Sequence, residues 1–405
     1  MRKNGVSRQL NEIDGGVCAP FGFLANGVFC DIAQKGEDKP DLGMVYAEKR
    51  CTTACVYTAN AVKGAPVVVS KKHSEKGCAQ AVVFNSGHAN ALGEDGEVLA
   101  ESVCRLAAKE LKIEGREVLI ASTGVMGEKL TLQPFERGMP VLVKGLGSSN
   151  EKSLLAARAL MTTDTYIKQL SYSFELGDNL CKFGAIFKGS RRVCPNMATV
   201  LGIVTTDVKI SAEMLQRALS TTVKETFNLL DVDGVSSPND MICVMANGQA
   251  GNYEISVADS EYKKFCFALR EVLRQMCRKI VEDGEDFSRV LLCEVVGARS
   301  KLVSDSVAKS VVKTLRIRTG ISVGKIDMDS LLCAVVDGGK PISAEKIEIS
   351  VGTERKMVTI FEDRKSIRVS EEVLRNLVKE KEVKIVVDLK DGHYTSTALG
   401  RDFVV

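Results

Sequence analysis

Apolar runs rich in β-branched residues alternate along the chain with segments of helical periodicity, and this alternation limits the possible folds more than any other feature. Six runs have the length and the apolar character of strands, and several would be buried on both faces. They are Pro66–Ser70, Gln80–Phe84, Glu117–Ala121, Met241–Ala246, Val290–Val296 and Val383–Leu389. We therefore expect strands over most of the chain's length.

The segments between these runs have the spacing of amphipathic helices. In Glu261–Asp283 the apolar residues recur every three or four positions and form one stripe, and shorter stripes cover residues 98–111 and 214–223. A helix with one apolar stripe must pack on another element, so we predict a mixed α/β (α+β) fold of layered sheets covered by helices. Gly145–Asn150 is expected to be a connection and Gly338–Pro341 a turn.

Composition excludes several classes of protein. A length of 405 residues allows two domains, although the interleaved pattern leaves their boundaries undetermined. The net charge of +3 comes from dispersed charges, so nucleic acid is a poor candidate partner, and no apolar stretch reaches the roughly 18 residues of a membrane helix. The N-terminus lacks the features of a secretory signal, and we expect a cytoplasmic protein.

The cysteines and histidines do not have the spacing of a metal site. Of the 13 cysteines, Cys51 and Cys55 form the only close pair, and the three histidines lie far from them in sequence. Because a zinc site needs several such ligands at defined spacing, we predict no metal and mostly buried, reduced thiols.

A polar stretch near the middle of the chain, Lys188–Asp207, raises a chemical question. It reads KGSRRVCPNMATVLGIVTTD, and the apolar run begins directly after Ala198-Thr199. A surface loop that enters a buried strand would account for this pattern. Alternatively, the Thr199 hydroxyl attacks the Ala198 carbonyl, and hydrolysis of the resulting ester leaves Thr199 as a new N-terminus. Its own amine, with a pKa of about 7.7–8.0, would then activate the hydroxyl as a nucleophile.

A longer series of motifs resembles the ornithine acetyltransferase family, the bifunctional glutamate N-acetyltransferases of arginine biosynthesis. The stretch Lys188-Gly-Ser, Pro195, Met197-Ala-Thr199 and Thr205-Thr-Asp207 resembles the family's self-cleavage segment. Further motifs follow in the family's order over about residues 11 to 300. They are Gly15-Gly16 to Phe23, Asn60 to Val67, Asn85-Ser-Gly-His-Ala-Asn90, Ser122-Thr-Gly-Val-Met-Gly127, Met161-Thr-Thr-Asp-Thr165, Val232-Asp-Gly234, Asn239-Asp240, Ala246-Asn-Gly248 and Asp283-Gly-Glu285.

The resemblance implies a role for each of several residues. Cleavage between Ala198 and Thr199 would free Thr199, which would take acetyl from N-acetylornithine and pass it to glutamate. Thr123 and Gly124 would form the oxyanion hole. Thr162, Lys188, Thr199 and Glu285 would bind substrate, with Lys188 at the α-carboxylate and Glu285 at the amino group of ornithine. The Asn85–Asn90 turn is interpreted as structural.

The resemblance also implies an assembly and an architecture. The fold would be of the N-terminal-nucleophile type, as in ornithine acetyltransferases and self-cleaving aminopeptidases. Residues 1–198 would become an α chain and residues 199–405 a β chain. The chains would stay associated, two of each, in a heterotetramer. No cofactor is required, although acetyl-coenzyme A is a possible second acetyl donor.

Departures from the family pattern keep alternatives open. Arg191-Arg192-Val193 stands where the family has Gly-Met-Ile, and Gly320–Lys325 replaces a tryptophan-containing segment. The chain stops at Val405, before the family's usual tail, so two substrate contacts would lack a counterpart. A hydrolase or aminopeptidase that uses the same nucleophile, and a non-catalytic homologue retained as a scaffold, are the alternatives.

Overall fold

The computed structural model describes residues 10–190, 200–284 and 289–403, except for residues 35, 37, 38, 339–341 and 344. Helices and strands alternate along these residues. The strands are β1 (Asn11–Glu12), β2 (Phe23–Val28), β3 (Leu42–Tyr57), β4 (Cys78–Asn85), β5 (Val118–Ser122), β6 (Lys168–Leu176), β7 (Asn179–Lys188), β8 (Leu201–Thr206), β9 (Leu230–Asp231), β10 (Met241–Ala246), β11 (Val290–Ala298), β12 (Glu348–Gly352), β13 (Met357–Glu362), β14 (Lys365–Ser366), β15 (Glu382–Asp388) and β16 (Tyr394–Arg401). The mixed α/β prediction is confirmed.

The structure describes ten helices, and three of them follow the predicted amphipathic stripes. The ten are α1 (Ala65–Ser74), α2 (Gly96–Leu111), α3 (Gln133–Lys144), α4 (Asn150–Leu160), α5 (Ala212–Glu225), α6 (Ser260–Val281), α7 (Lys301–Lys313), α8 (Leu315–Ser322), α9 (Met328–Val336) and α10 (Glu371–Val378). The three predicted stripes correspond to α2, α5 and α6. Among the described residues, no helix is both long and apolar enough to cross a membrane.

The described residues form two compact units. The first contains residues from 10–189, 200–223 and 236–276, and the second contains residues from 224–235 and 277–403. The first unit is built on a nine-stranded sheet with the order β1-β6-β7-β8-β10-β3-β4-β5, to which β2 is added by pairing with β3. The second unit is built on a seven-stranded sheet with the order β14-β13-β12-β15-β11-β16-β9.

Helices cover both faces of the first sheet, because side chains alternate between the faces of a strand. Ala81 and Val83 of β4 pack in a core with residues of α1, α2 and α3, whereas Val82 and Phe84 pack in another core with residues of α4. In the second unit, apolar residues of α7 and α9 pack on β11, β12 and β15.

Five of the six predicted strands are confirmed, and one prediction is wrong. Pro66–Ser70 lies in helix α1, where Pro66 occupies the first turn. Proline is favoured there because its missing N–H would have no partner in the helix and its φ angle is already helical. The buried residues Pro66, Val67, Val69, Ser70 and His73 recur at the i, i+1, i+3, i+4 and i+7 positions of one helix face, a pattern that the short run of valines concealed.

The predicted connection at Gly145–Asn150 joins α3 to α4, and Gly147 pairs through its backbone with Ala25 of β2. The connection is therefore anchored to the sheet. Most of the predicted turn at Gly338–Pro341 lies outside the described residues.

Candidate active site

Lys188, the predicted substrate-binding lysine, is the last residue of β7 and is only 5% exposed. It pairs across the sheet with Leu201, the first residue of β8. The ammonium group of Lys188 makes no hydrogen bond and no ion pair within 4 Å with any described residue. A buried cation without a direct counterion is costly, so this group is suited to an anionic ligand.

Other charges surround Lys188 without neutralising it. Burial lowers the pKa of Lys188, and the carboxylates of Asp164 and Asp240 oppose that shift. The ammonium groups of Lys168 and Lys39 lower this pKa further. These five groups comprise three cations and two anions, so one negative charge would balance the cluster.

Asp164 connects Lys188 to Thr162, another predicted substrate-binding residue. Its Oδ1 accepts hydrogen bonds from the N–H of Gly189 at 2.9 Å and from Nζ of Lys168 at 2.7 Å. Its Oδ2 accepts the N–H of Thr162 at 3.0 Å. Burial alone would raise the pKa of Asp164, but Lys188, Lys168 and the Gly189 N–H hold it below its usual value. The hydroxyl of Thr162 has no partner among the described residues.

Thr123 and Gly124, the predicted oxyanion hole, form a turn directly after β5. Gly124 has a φ of +139°, and a Cβ there would lie 2.2 Å from the carbonyl carbon of Gly87. Only glycine fits this position. Within the described part of the chain, neither the Thr123 hydroxyl nor the Gly124 N–H has a hydrogen-bond partner, so both can donate to a developing negative charge.

The Asn85–Asn90 motif holds this turn in place. The Asn85 carbonyl accepts the Thr123 N–H at 3.0 Å, and Asn85 Oδ1 accepts the Ser122 hydroxyl at 2.7 Å. His88 donates from Nε2 to the Glu128 carbonyl and accepts the Asn90 N–H at Nδ1, which requires a neutral ring. Burial lowers the pKa of His88, in agreement with that tautomer. His88 is therefore structural, as the sequence interpretation of the motif held.

Asn239 and Asp240, two polar residues directly before β10, link the turn to the lysine. The side-chain amide of Asn239 donates to the carbonyls of Ala89 at 2.5 Å and Ser122 at 2.9 Å. Its neighbour Asp240 is one of the two carboxylates that act on Lys188. The predicted oxyanion hole and the predicted carboxylate-binding lysine are thus connected through adjacent residues at the start of one strand.

Three predicted site residues, Ala198, Thr199 and Glu285, lie outside the described residues. The description resumes at Val200, which is 3% exposed and whose carbonyl accepts the N–H of Met241 at 3.1 Å. Val200, which follows the predicted nucleophile Thr199 in sequence, is therefore fixed beside β10. Arg191, Arg192 and Val193 also lie outside the described residues.

The predicted burial of the cysteines is confirmed for the described part of the chain. Its 12 cysteines are free, nine of them are buried, and Cys333 is exposed. Within the same part, no group of three or more His, Cys, Asp or Glu side chains is arranged to hold a metal ion.

Comparisons with known proteins identify similar sequences over nearly the whole chain. The ArgJ family model matches residues 24–405. The arginine biosynthesis bifunctional protein ArgJ of Caldanaerobacter subterraneus subsp. tengcongensis is 35% identical over 96% of each chain. The protein of the same name from Desulfotalea psychrophila is 37% identical over 91% of this chain and 93% of its own.

A solved structure of an arginine biosynthesis bifunctional protein from Bacillus halodurans is 29% identical, with a TM-score of 0.41 over 43% of this chain and 90% of that chain. An ornithine acetyltransferase from Mycobacterium tuberculosis, solved with ornithine, is 30% identical, with a TM-score of 0.38 over 40% of this chain and 88% of that chain.

Proposed function

Because the chain belongs to the ArgJ family of arginine biosynthesis enzymes, we propose that it transfers an acetyl group from N2-acetylornithine to glutamate. The observation that carries this proposal is Lys188, a buried ammonium with no direct counterion among the residues that the structure describes, placed beside the start of β8. Both proposed substrates carry an α-carboxylate that would supply the missing negative charge.

The nucleophile would be Thr199, freed by cleavage after Ala198. Its hydroxyl attacks the acetyl carbonyl while its own amine accepts the hydroxyl proton. Collapse of the tetrahedral intermediate breaks the bond to nitrogen, the amine returns a proton to ornithine, and acetyl-threonine remains. The amino group of glutamate then attacks this ester, which restores the threonine hydroxyl and releases N-acetylglutamate.

The Thr123 hydroxyl and the Gly124 N–H would stabilise the oxyanion in both half-reactions. Removing one donor from an oxyanion hole typically lowers kcat by roughly 10²–10³-fold. Support for this assignment comes from these two donors, which have no partner in the described part of the chain, and from the contacts of Asn239 and Asn85 that fix the turn. Thr162 and Lys188 would hold the α-carboxylate, and Glu285 the amino group of ornithine.

The remaining features are proposed on the same basis. Acetyl-coenzyme A is a possible second acetyl donor, and no other cofactor is required. Residues 1–198 and 199–405 would become the α and β chains of a heterotetramer, with two copies of each. We place the protein in the cytoplasm.

An intact-mass measurement on the purified, denatured protein tests the processing step. We expect two fragments that meet between Ala198 and Thr199, each roughly half the chain. Thr199→Ala should remain a single uncut chain and transfer no acetyl, whereas Thr199→Ser should retain partial cleavage. Thr397→Ala, an exposed threonine of β16, is the matched control and should cleave as the wild type does. Cleavage of Thr199→Ala at this bond would exclude Thr199 as the nucleophile.

A second assay tests the reaction itself. The cleaved protein is offered N2-acetylornithine with and without glutamate, and both ornithine and N-acetylglutamate are measured. Strict dependence of ornithine release on glutamate supports the transferase. Ornithine and free acetate at equal rates without glutamate would indicate a hydrolase, with water as the acceptor.

A further inference from the structure

Asp164 has a buried carboxylate whose two oxygens accept hydrogen bonds from two separate segments of the chain. The side chain is 1% exposed. Oδ2 holds the backbone of Thr162, which follows helix α4, and Oδ1 holds the backbone of Gly189, which follows β7. One carboxylate therefore fixes the backbone of Thr162 and the backbone of Gly189, the residue that follows Lys188.

The charge of Asp164 has a direct partner other than Lys188. Nζ of Lys168 lies 2.7 Å from Oδ1, and the Lys168 side chain is fully buried. Asp164 also acts on Lys188 at longer range. The Asp164 Oδ1 atom accepts hydrogen bonds from Lys168 and Gly189, and Oδ2 accepts one from Thr162, so the carboxylate does not bind the Lys188 ammonium group directly. Its negative charge nevertheless favours the charged form of Lys188. No other described residue binds the Lys188 ammonium directly, so it can bind an anionic ligand.

We propose that Asp164 is a positioning residue that fixes Thr162 and Lys188 to receive the α-carboxylate of the amino-acid substrate. This inference rests on the proposed function, in which those two residues bind that carboxylate. Asp164 acts through its neighbours and takes no part in bond making. Its loss should weaken binding of the carboxylate and leave the acetyl-transfer step nearly intact.

The test compares Asp164→Asn with wild type on N2-acetylornithine and on its methyl ester, which lacks the carboxylate charge. The amide keeps the shape of the carboxylate but loses the charge and one acceptor. We expect the KM for N2-acetylornithine to rise about tenfold or more, because hydrogen bonds to charged groups contribute about 1.5–3 kcal/mol. The value of kcat should stay within about threefold, since the lost interaction acts equally on ground state and transition state. The preference for the acid over the ester should fall.

Asp178→Asn is the matched control, because Asp178 is exposed in the turn that joins β6 to β7. It should match the wild type in cleavage, KM and acid-to-ester preference. If Asp164→Asn fails to fold, as judged by circular dichroism and intact mass, Asp164→Glu replaces it. That variant keeps the charge and moves the oxygens by one methylene, and it should show the same rise in KM.

An unchanged preference for the acid over the ester in a folded Asp164 variant would overturn the proposal. So would a fall in kcat with an unchanged KM. If the wild type transfers no acetyl, the proposed function fails separately, and calorimetric binding of ornithine and ornithine methyl ester then decides the role of Asp164. The positioning role is supported if the variant binds ornithine more weakly than the wild type does but binds the methyl ester equally well. It is contradicted if wild type and variant bind ornithine equally.

Discussion

At the scale of one residue, we propose Lys188 as part of a binding site because its buried charge is unbalanced. A buried ammonium group would normally be paired, because transfer of an unpaired ion from water is expensive. Here Asp164 forms its ion pair with Lys168. The ammonium group of Lys188 has no carboxylate within 4 Å among the described residues. Such a group destabilises the free protein slightly and stabilises the complex with an anion.

The pH dependence of Lys188 is predicted from the direction of its pKa shift. Burial lowers the pKa of this lysine, so its positive charge is present below the lowered value and is lost as pH rises through it. The value of kcat/KM, which reports ionisations of the free enzyme, should therefore fall on the alkaline side at a lower pH than an ordinary lysine would require. A guanidinium stays charged in this range, so in Lys188→Arg this alkaline fall should move to higher pH.

The measurement is a pH profile of kcat/KM for wild type and Lys188→Arg with N2-acetylornithine. The ionisable groups of the substrate are common to both proteins and cancel in the comparison. Lys182→Arg, which exchanges a half-buried lysine earlier in β7, is the control and should keep the wild-type profile. Identical alkaline limbs in wild type and Lys188→Arg would show that the Lys188 charge is not required.

The sequence analysis predicted Lys188 and Thr162 as substrate-binding residues, but it did not single out Asp164 or Lys168. Asp164 and Lys168 resemble an ordinary surface pair at i,i+4 spacing, and charged residues of this kind are usually solvated. Asp164 also accepts a hydrogen bond from the N–H of Gly189, which is 25 residues away in sequence. Only the pairing of β6 with β7 brings the two positions together.

At the scale of elements, the sequence predicted five of the strands that the structure describes and wrongly assigned one helix as a strand. The runs at β4, β5, β10, β11 and β15 were predicted as strands, although Gln80–Phe84 and Glu117–Ala121 are as short as Pro66–Ser70. Helix α1 contains three consecutive valines, which satisfy a strand pattern and a helix pattern equally over five residues. Tertiary contacts decide such a case, as the buried hydrogen bond of Ser70 with β5 illustrates.

We predict that Asn239, which lies directly before β10, stabilises both the fold and the turn that contains Thr123 and Gly124. In Asn239→Asp, a carboxylate would face the carbonyls of Ala89 and Ser122, to which the amide now donates. Two buried hydrogen bonds are lost, so the free energy of unfolding should fall by about 2 kcal/mol or more. The value of kcat should fall as well, since Ser122 immediately precedes Thr123. Urea unfolding and acetyl-transfer kinetics provide the measurements.

Asn60→Asp is the matched control for Asn239. The Asn60 amide donates to Ser236 near the surface, where water can replace a lost partner. We expect little loss of stability and no change in kcat for this variant. Equal destabilisation of the two variants would mean that the contacts of Asn239 have no special importance.

At the scale of the whole molecule, the two compact units do not correspond to two successive halves of the sequence. Residues 224–235 belong with residues after 277, whereas residues 236–276 belong with the first unit. Composition and periodicity could not show which segment belongs to which unit, because each segment has the same mixture of apolar strands and amphipathic helices. The boundaries depend on pairings such as that of β9 with β16, which are far apart in sequence.

The topology of the first sheet predicts that cleavage after Ala198 leaves the halves associated. Strands β8 and β10 come from the C-terminal half and lie between β7 and β3 of the N-terminal half, with β7 pairing with β8 and β10 with β3. Separation would break both ladders of backbone hydrogen bonds and expose the buried faces of β8 and β10, so it should require unfolding of the unit. On size-exclusion chromatography the fragments should co-elute in native buffer at the position of uncut Thr199→Ala, and they should separate only in denaturant. Native separation of the two fragments would contradict a shared sheet.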